Sequence, residues 1–304
     1  MSIRELISTK SVRNDYHNDC DGSKNIFGLI ASRIFTGKTC QTGHTHNLHP
    51  LTMSVSPVFE KQYRSAIALN NLAVCLLERH CEEQAAETFR SALALMRSAS
   101  NSRSCPCHVS CDDIDLTMHE AAQRFARPMP SRRENIVITF SSVSDDSDFS
   151  AALEAASHGC HSSSHGLLIR IEEYGSDCAS HRDLNMDCAT IIHNFGLSCL
   201  ALSLSRATAK KEGLKLRKNS FRLLQLSQSI LSKSANECED DTLLERVFFL
   251  SLISTRSMAQ AMFTEKNNEF RVKQCLEHLS DLKIAAIQFG AFEAHQSQKL
   301  APAA

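Results

Sequence analysis

The chain has 304 residues, a formal net charge of −1, 42% hydrophobic residues and 22% charged residues. This length is enough for roughly one to three domains, and the near-zero charge excludes a long-range attraction of the whole molecule to nucleic acid or to anionic membranes. Ten glycines and six prolines are too few for an all-β fold, which needs many turns.

The N-terminus carries charged side chains where a secretory signal requires an apolar run. A transmembrane helix needs about 20 consecutive apolar residues, and the most apolar stretch that stands out, Val247 to Ile253, is much shorter. The 13 cysteines are odd in number and several lie within helical patterns, which is typical of reduced thiols. We therefore expect a cytoplasmic or nuclear protein.

Residues 1–56 are predicted to be a mostly irregular N-terminal arm, because polar and histidine-rich stretches surround its only helical pattern. Residues 57–98 differ sharply, since apolar residues recur there at helical spacing with no glycine or proline between Val58 and Met96. The pattern breaks near Arg79, which predicts two helices joined by a short turn.

Residues 99–185 are predicted to be an insertion of flexible loops with a short helix at 116–125. Two β-branched or apolar runs, at about 135–140 and 166–171, read as strands. We expect these strands to form a small β-hairpin that packs against the helices, because two strands alone do not make a domain.

Residues 186–296 return to helical periodicity, and 297–304 form a tail. The predicted helices span 187–206, 213–233, 241–264 and 268–296, with ends uncertain by a few residues. A run of basic residues between Lys210 and Arg222 is interpreted as a solvated helix face, since base-stacking aromatic residues are scarce there.

Residues 66–96 resemble the tetratricopeptide (TPR) repeat, in which large and small residues alternate at fixed positions of two antiparallel helices. The matching positions are Leu69, Leu72, Ala73 and Leu76 on the first helix and Ala85, Phe89 and Ala92 on the second. A weaker copy has Ile192, Phe195, Gly196 and Cys199 on its first helix, then Ser220, Leu224 and Ser227. A third pair, at 243–289, is fainter.

The resemblance implies a mainly α fold of TPR-like antiparallel helical hairpins in a short, interrupted right-handed stack, with the β-hairpin inserted. In this family the first helix of each repeat lines a concave groove that holds a peptide or a partner helix. The implied partner-binding residues are Asn70, Asn71, Val74, His193, Asn194 and Leu197.

Asn71 and Asn194 occupy equivalent places in the two copies, and an asparagine amide can bond a peptide backbone on both of its edges. Alternatively, these amides bridge groups within the stack. The first interpretation predicts a non-catalytic adaptor without a cofactor. It also predicts that Asn71→Ala with Asn194→Ala abolishes partner capture without unfolding the chain.

A second functional class rests on three thiols and one imidazole within seven residues. They are Cys105, Cys107, His108 and Cys111. Zinc takes about four such ligands, but the spacing lacks a C-x-x-C pair, so a metal- or redox-responsive regulator is the alternative. A structural subunit without a groove ligand is the third. No motif with complete catalytic spacing supports an enzyme.

Overall fold

A computed structural model describes residues 57–102, 111–126, 136–140, 167–172, 184–205, 208–237 and 241–263, together with a few helical positions between 273 and 284. The elements in chain order are α1 (Pro57–Glu78), α2 (Glu82–Ser102), α3 (Cys111–Phe125), β1 (Ile136–Phe140), β2 (Leu167–Ile171), α4 (Leu184–Leu204), α5 (Lys210–Glu237) and α6 (Asp241–Phe263). This part of the chain is mostly helical, as predicted.

Several predicted features lie outside the described residues. They are the arm at 1–56, the loop before Cys111, most of the fourth C-terminal helix at 268–296, and the tail at 297–304.

The helices α1 and α2 form the predicted hairpin, and the turn between them has a defined chemistry. His80 adopts the left-handed backbone conformation, with φ of 55°. The N–H of Cys81 donates to the carbonyl of Leu76 (2.9 Å) and that of His80 donates to Leu77 (3.0 Å). These are the two bonds of a Schellman cap, in which glycine is more usual than histidine. The cap ends α1 and lets α2 begin at Glu82.

Apart from α3, the described helices pack in chain order around a main apolar core, and a smaller apolar cluster joins α4, α5 and α6. Helix α1 packs on α2, α2 on α4, α4 on α5, and α5 on α6, while α3 covers α1. Phe89 of α2 and Phe248 of α6 are among the largest fully buried side chains. The helix ends at α4, α5 and α6 lie within about four residues of those predicted.

The predicted β-hairpin is wrong in orientation. The two strands exist, but they pair in parallel, with Ile136 opposite Leu167 and Phe140 opposite Ile171. A hairpin would make them antiparallel. Residues 141–166 separate the strands, which is long enough for the crossover of about a dozen residues that a parallel pair requires.

Helices α4 and α5 approach closely at Gly196, the small residue of the second predicted copy. A Cβ atom on Gly196 would lie 3.1 Å from the side chain of Leu224 and 3.3 Å from the carbonyl oxygen of Ser220. Both neighbours were placed on the facing helix by the sequence pattern. Nearby, the hydroxyl of Ser227 donates to the carbonyl of Ala189 (2.9 Å), which also joins the two helices.

Gly196→Val should lower the free energy of unfolding by about 2 kcal/mol, because the added methyl groups overfill the contact with α5. Chemical denaturation followed by circular dichroism measures this change. Ala94→Val is the matched control, because Ala94 is an exposed residue of α2 and the substitution there costs about 0.5 kcal/mol of helix propensity. Equal losses in both variants would contradict the close approach.

Helix α4 is the one helix in the described part of the chain that is long and apolar enough to cross a membrane. Of its most apolar window, 78% is buried inside the protein, as in the core helix of a globular fold. Small and polar residues interrupt the apolar run of this helix in the sequence.

Candidate functional site

Helices α1 and α4 place four polar side chains side by side inside the apolar core. Asn70 and Asn71 lie on α1, and His193 and Asn194 lie at the equivalent positions of α4. All but the half-buried Asn71 are buried. Buried polar groups require hydrogen-bond partners, and these four share one partner, the backbone of β2. We call the four side chains the polar row.

Two asparagines of the polar row each bind one residue of β2 through both edges of the amide. Asn71 donates from Nδ2 to the carbonyl of Ile171 (2.7 Å) and accepts from the Ile171 N–H at Oδ1 (2.9 Å). Asn194 does the same with Ile169, at 2.7 Å and 3.0 Å. Each amide therefore replaces a residue of a neighbouring strand.

The other two members complete the row. Asn70 donates to the carbonyl of Ile169 (3.3 Å) and to Asn71 Oδ1 (3.2 Å), and it accepts from Asn194 Nδ2 (2.9 Å). His193 Nε2 lies 3.1 Å from the carbonyl oxygen of Leu167. Because a carbonyl only accepts, Nε2 carries the proton in this contact.

The polar row contacts only the alternate residues of β2, namely Leu167, Ile169 and Ile171. Backbone groups of an extended strand point alternately to its two edges. The groups of Leu168 and Arg170 therefore face the opposite edge, where β1 pairs with β2. The strand lies between β1 and the polar row, and both of its edges are satisfied.

Arg170 gives β2 a charged anchor on α1. Its guanidinium group lies 2.5 Å from a carboxylate oxygen of Glu78 and 3.2 Å from the sulfur of Cys75. Both Arg170 and Glu78 are only partly exposed, at 35% and 24% of their side chains. A charge-assisted hydrogen bond in partial burial is stronger than one between two fully exposed groups.

The remaining two predicted residues are apolar and buried. Val74 and Leu197 are buried in the same cluster as the apolar side chains of β2. The Tyr63 hydroxyl donates to the Asp187 carboxylate and links α1 directly to α4. Helices α1 and α4 are therefore joined by a direct contact as well as through β2.

Of the six residues predicted to bind a partner, four bind a segment of the same chain, β2, namely Asn70, Asn71, His193 and Asn194. Their role toward an external partner stays a prediction. Asn194 is fully buried and makes three hydrogen bonds. We therefore expect the loss of this amide to lower the stability of the fold. The structure shows these amides bridging groups within the fold, and the binding of a partner peptide stays a prediction.

Burial sets the protonation state of His193. Its complete burial lowers the pKa to about 4, against a smaller opposing effect of the hydrogen bond to Leu167. The imidazole is therefore neutral near pH 7, with the proton on Nε2. Within the described part of the chain Nδ1 has no hydrogen-bond partner.

The proposed metal loop is mostly outside the described residues. Cys111 is exposed at the first position of α3, whereas Cys105, Cys107 and His108 are not described. Among the residues that are described, no three metal-binding side chains come together. Burial raises the pKa of Cys188 and of Cys199 to about 12, so these two thiols stay protonated and unreactive.

Two residues of the site were missed from the sequence. Arg170 interrupts an otherwise apolar strand, and a charge in a buried strand signals an acidic partner elsewhere in the fold. Glu78 has no such signal, since acidic residues are common on helix surfaces. Only the three-dimensional contact identifies it.

Comparison of the chain with protein-family models, curated proteins and solved structures gave no match.

Proposed function

We propose that this protein is a non-catalytic adaptor whose groove between α1 and α4 binds an extended polypeptide segment through its backbone. The observation that carries the proposal is the pair of two-edged amide contacts made by Asn71 and Asn194. Such contacts recognise any extended backbone, because they use the N–H and C=O groups that every residue except proline has.

The spacing of the polar row supports the same conclusion. Equivalent positions on α1 and α4 bind Ile171 and Ile169, which are one strand repeat apart. That repeat is about 6.7 Å along an extended chain. Side chains from two helices that are distant in sequence thus match the period of a β-strand. The burial of two amides does not by itself require their spacing to match the period of a strand.

The helix order supports a TPR-like stack as the framework of the groove. Successive helices pack in chain order, and in addition α1 touches α4, and α4 touches α6. In stacked helical hairpins the first helix of each repeat contacts the first helix of the next, and these helices line the concave face. On this proposal, α1, α4 and α6 are the first helices of three repeats.

The proposal is tested with a full-length variant in which β2 is weakened as an occupant. Ile169→Pro removes the N–H that Asn194 accepts, while the backbone groups of β2 that face β1 are unchanged. The probe is a fluorescent peptide with the sequence of residues 166–172. We expect it to bind the variant with a Kd in the micromolar range, measured by fluorescence anisotropy.

The matched control is the same peptide with proline in place of its isoleucine that corresponds to Ile169, which should not bind. If the variant is unfolded when alone, the unmodified peptide should restore its helical circular dichroism and raise its Tm, since a ligand that binds only the folded state stabilises it. If the peptide neither binds the variant nor restores its folding, the adaptor function is refuted and the polar row is a structural feature only.

A further inference from the structure

The groove proposed to bind an extended partner is already filled, and its occupant has a definite chemistry. Strand β2 presents four buried apolar side chains and one basic side chain, Arg170, which pairs with Glu78. The apolar ones are Leu167, Leu168, Ile169 and Ile171. An occupant that fits the groove in this detail indicates what kind of segment the groove selects.

We infer that β2 is a built-in competitor for the groove. The partner it excludes is an extended apolar segment with one arginine or lysine opposite Glu78. This inference rests on the proposed function. It adds the regulation of the groove and the chemistry of its ligand.

When such a segment replaces β2, it re-forms the contacts that β2 makes with α1 and α4. The incoming backbone takes the same bonds from Asn71 and Asn194, its apolar side chains refill the same cavity, and its basic residue takes the place of Arg170. The incoming backbone also pairs with β1 along its other edge, as β2 does. With both edges paired, no buried polar group is left without a partner, which would be costly.

The walls of the groove are also held together by contacts that do not involve β2. Helix α2 packs against both α1 and α4, and the bond between Tyr63 and Asp187 joins α1 to α4 directly. The groove can therefore persist while one strand leaves and another enters. In sequence, β2 is separated from β1 by residues 141–166 and from α4 by residues 172–183.

Competition from a tethered strand has a characteristic size. A segment joined to its own binding site acts at an effective concentration of about 1 mM when the linker is short and flexible. If β2 competes at such a concentration, a free peptide of the same sequence half-fills the wild-type groove only near about 1 mM. A physiological partner must bind more tightly than β2, or another event must release β2 first.

The regulatory part is tested by comparing wild-type protein with the full-length Ile169→Pro variant, using the labelled peptide of residues 166–172. We expect the variant to bind at least tenfold more tightly than the wild type. If both bind with the same Kd, the groove accepts peptides but β2 does not compete, so the inference falls while the adaptor function stands. If neither binds, both fall.

The ligand chemistry is tested by a charge exchange at Arg170 and Glu78. A second peptide carries glutamate at the position of Arg170, and a second protein carries Glu78→Arg together with Ile169→Pro. The first protein should prefer the arginine peptide by roughly tenfold, because of the partly buried ion pair, and the second should prefer the glutamate peptide. Equal affinities in all four combinations would overturn the predicted preference for a basic residue.

Discussion

Asn194→Ala should lower the free energy of unfolding by about 3 kcal/mol, one of the largest effects expected of a single substitution in this protein. The amide of Asn194 bonds the N–H and C=O of Ile169 and the side-chain oxygen of Asn70. Alanine removes all three bonds inside a fully buried site. Each buried polar group left without a partner costs about 1–3 kcal/mol; the Ile169 carbonyl keeps its longer bond from Asn70, at 3.3 Å.

The measurement is urea denaturation followed by circular dichroism, with the slope of the transition checked for two-state behaviour. Asn219→Ala is the matched control, because Asn219 is a half-exposed residue of α5, and a substitution there should change stability by no more than about 0.5 kcal/mol. A loss below 1 kcal/mol for Asn194→Ala would mean that β2 contributes little to the fold.

Asn194→Asp separates the two edges of the amide. The aspartate still accepts from the Ile169 N–H, but it places an oxygen against the Ile169 carbonyl, where Nδ2 now donates. Near pH 7 this variant should be at least as unstable as Asn194→Ala, since it also buries a charge. A stable aspartate variant would show that one edge of the amide is sufficient.

The helices could be predicted from the sequence because their signals are local. Apolar spacing marks α1, α2, α4, α5 and α6 within a few residues, and the equivalence of Leu69 with Ile192 puts the members of the polar row in matching positions. The TPR resemblance put Gly196 on one helix of a pair and Ser220 and Leu224 on the other, and these two helices approach closely at Gly196.

The occupant of the groove could not be predicted, because it depends on contacts between distant parts of the chain. Asn71 and Ile171 are 100 residues apart, and Asn70 and Asn194 are 124 apart. The strand pattern at 166–171 does not specify which groups hydrogen-bond to each edge of the strand. Two neighbouring strand signals were therefore interpreted as a hairpin, whereas one edge of β2 pairs with asparagine side chains and the other with a parallel strand.

His193 should make the protein lose stability as the pH falls from 6.5 to 4. Its pKa in the folded protein is about 4 because of burial, below the ordinary value of 6.5. Between these two values the unfolded chain binds a proton that the folded protein does not. The free energy of unfolding is therefore highest above pH 6.5. Relative to that value it is lower by about 2 kcal/mol at pH 5 and by about 3 kcal/mol near pH 4.

The test compares wild-type protein with His193→Gln by urea denaturation at pH 7, 5 and 4. Glutamine keeps a donor for the Leu167 carbonyl but does not titrate, and the carboxylates elsewhere in the chain affect both proteins alike. We therefore expect the wild type to lose about 2 kcal/mol more than the variant between pH 7 and pH 5. Parallel pH profiles would mean that the imidazole is protonated in the folded protein at pH 5, and hence that water reaches the polar row. If the polar row is shielded from water, the pH profiles of the wild type and His193→Gln diverge below pH 6.5, because burial lowers the pKa of the imidazole.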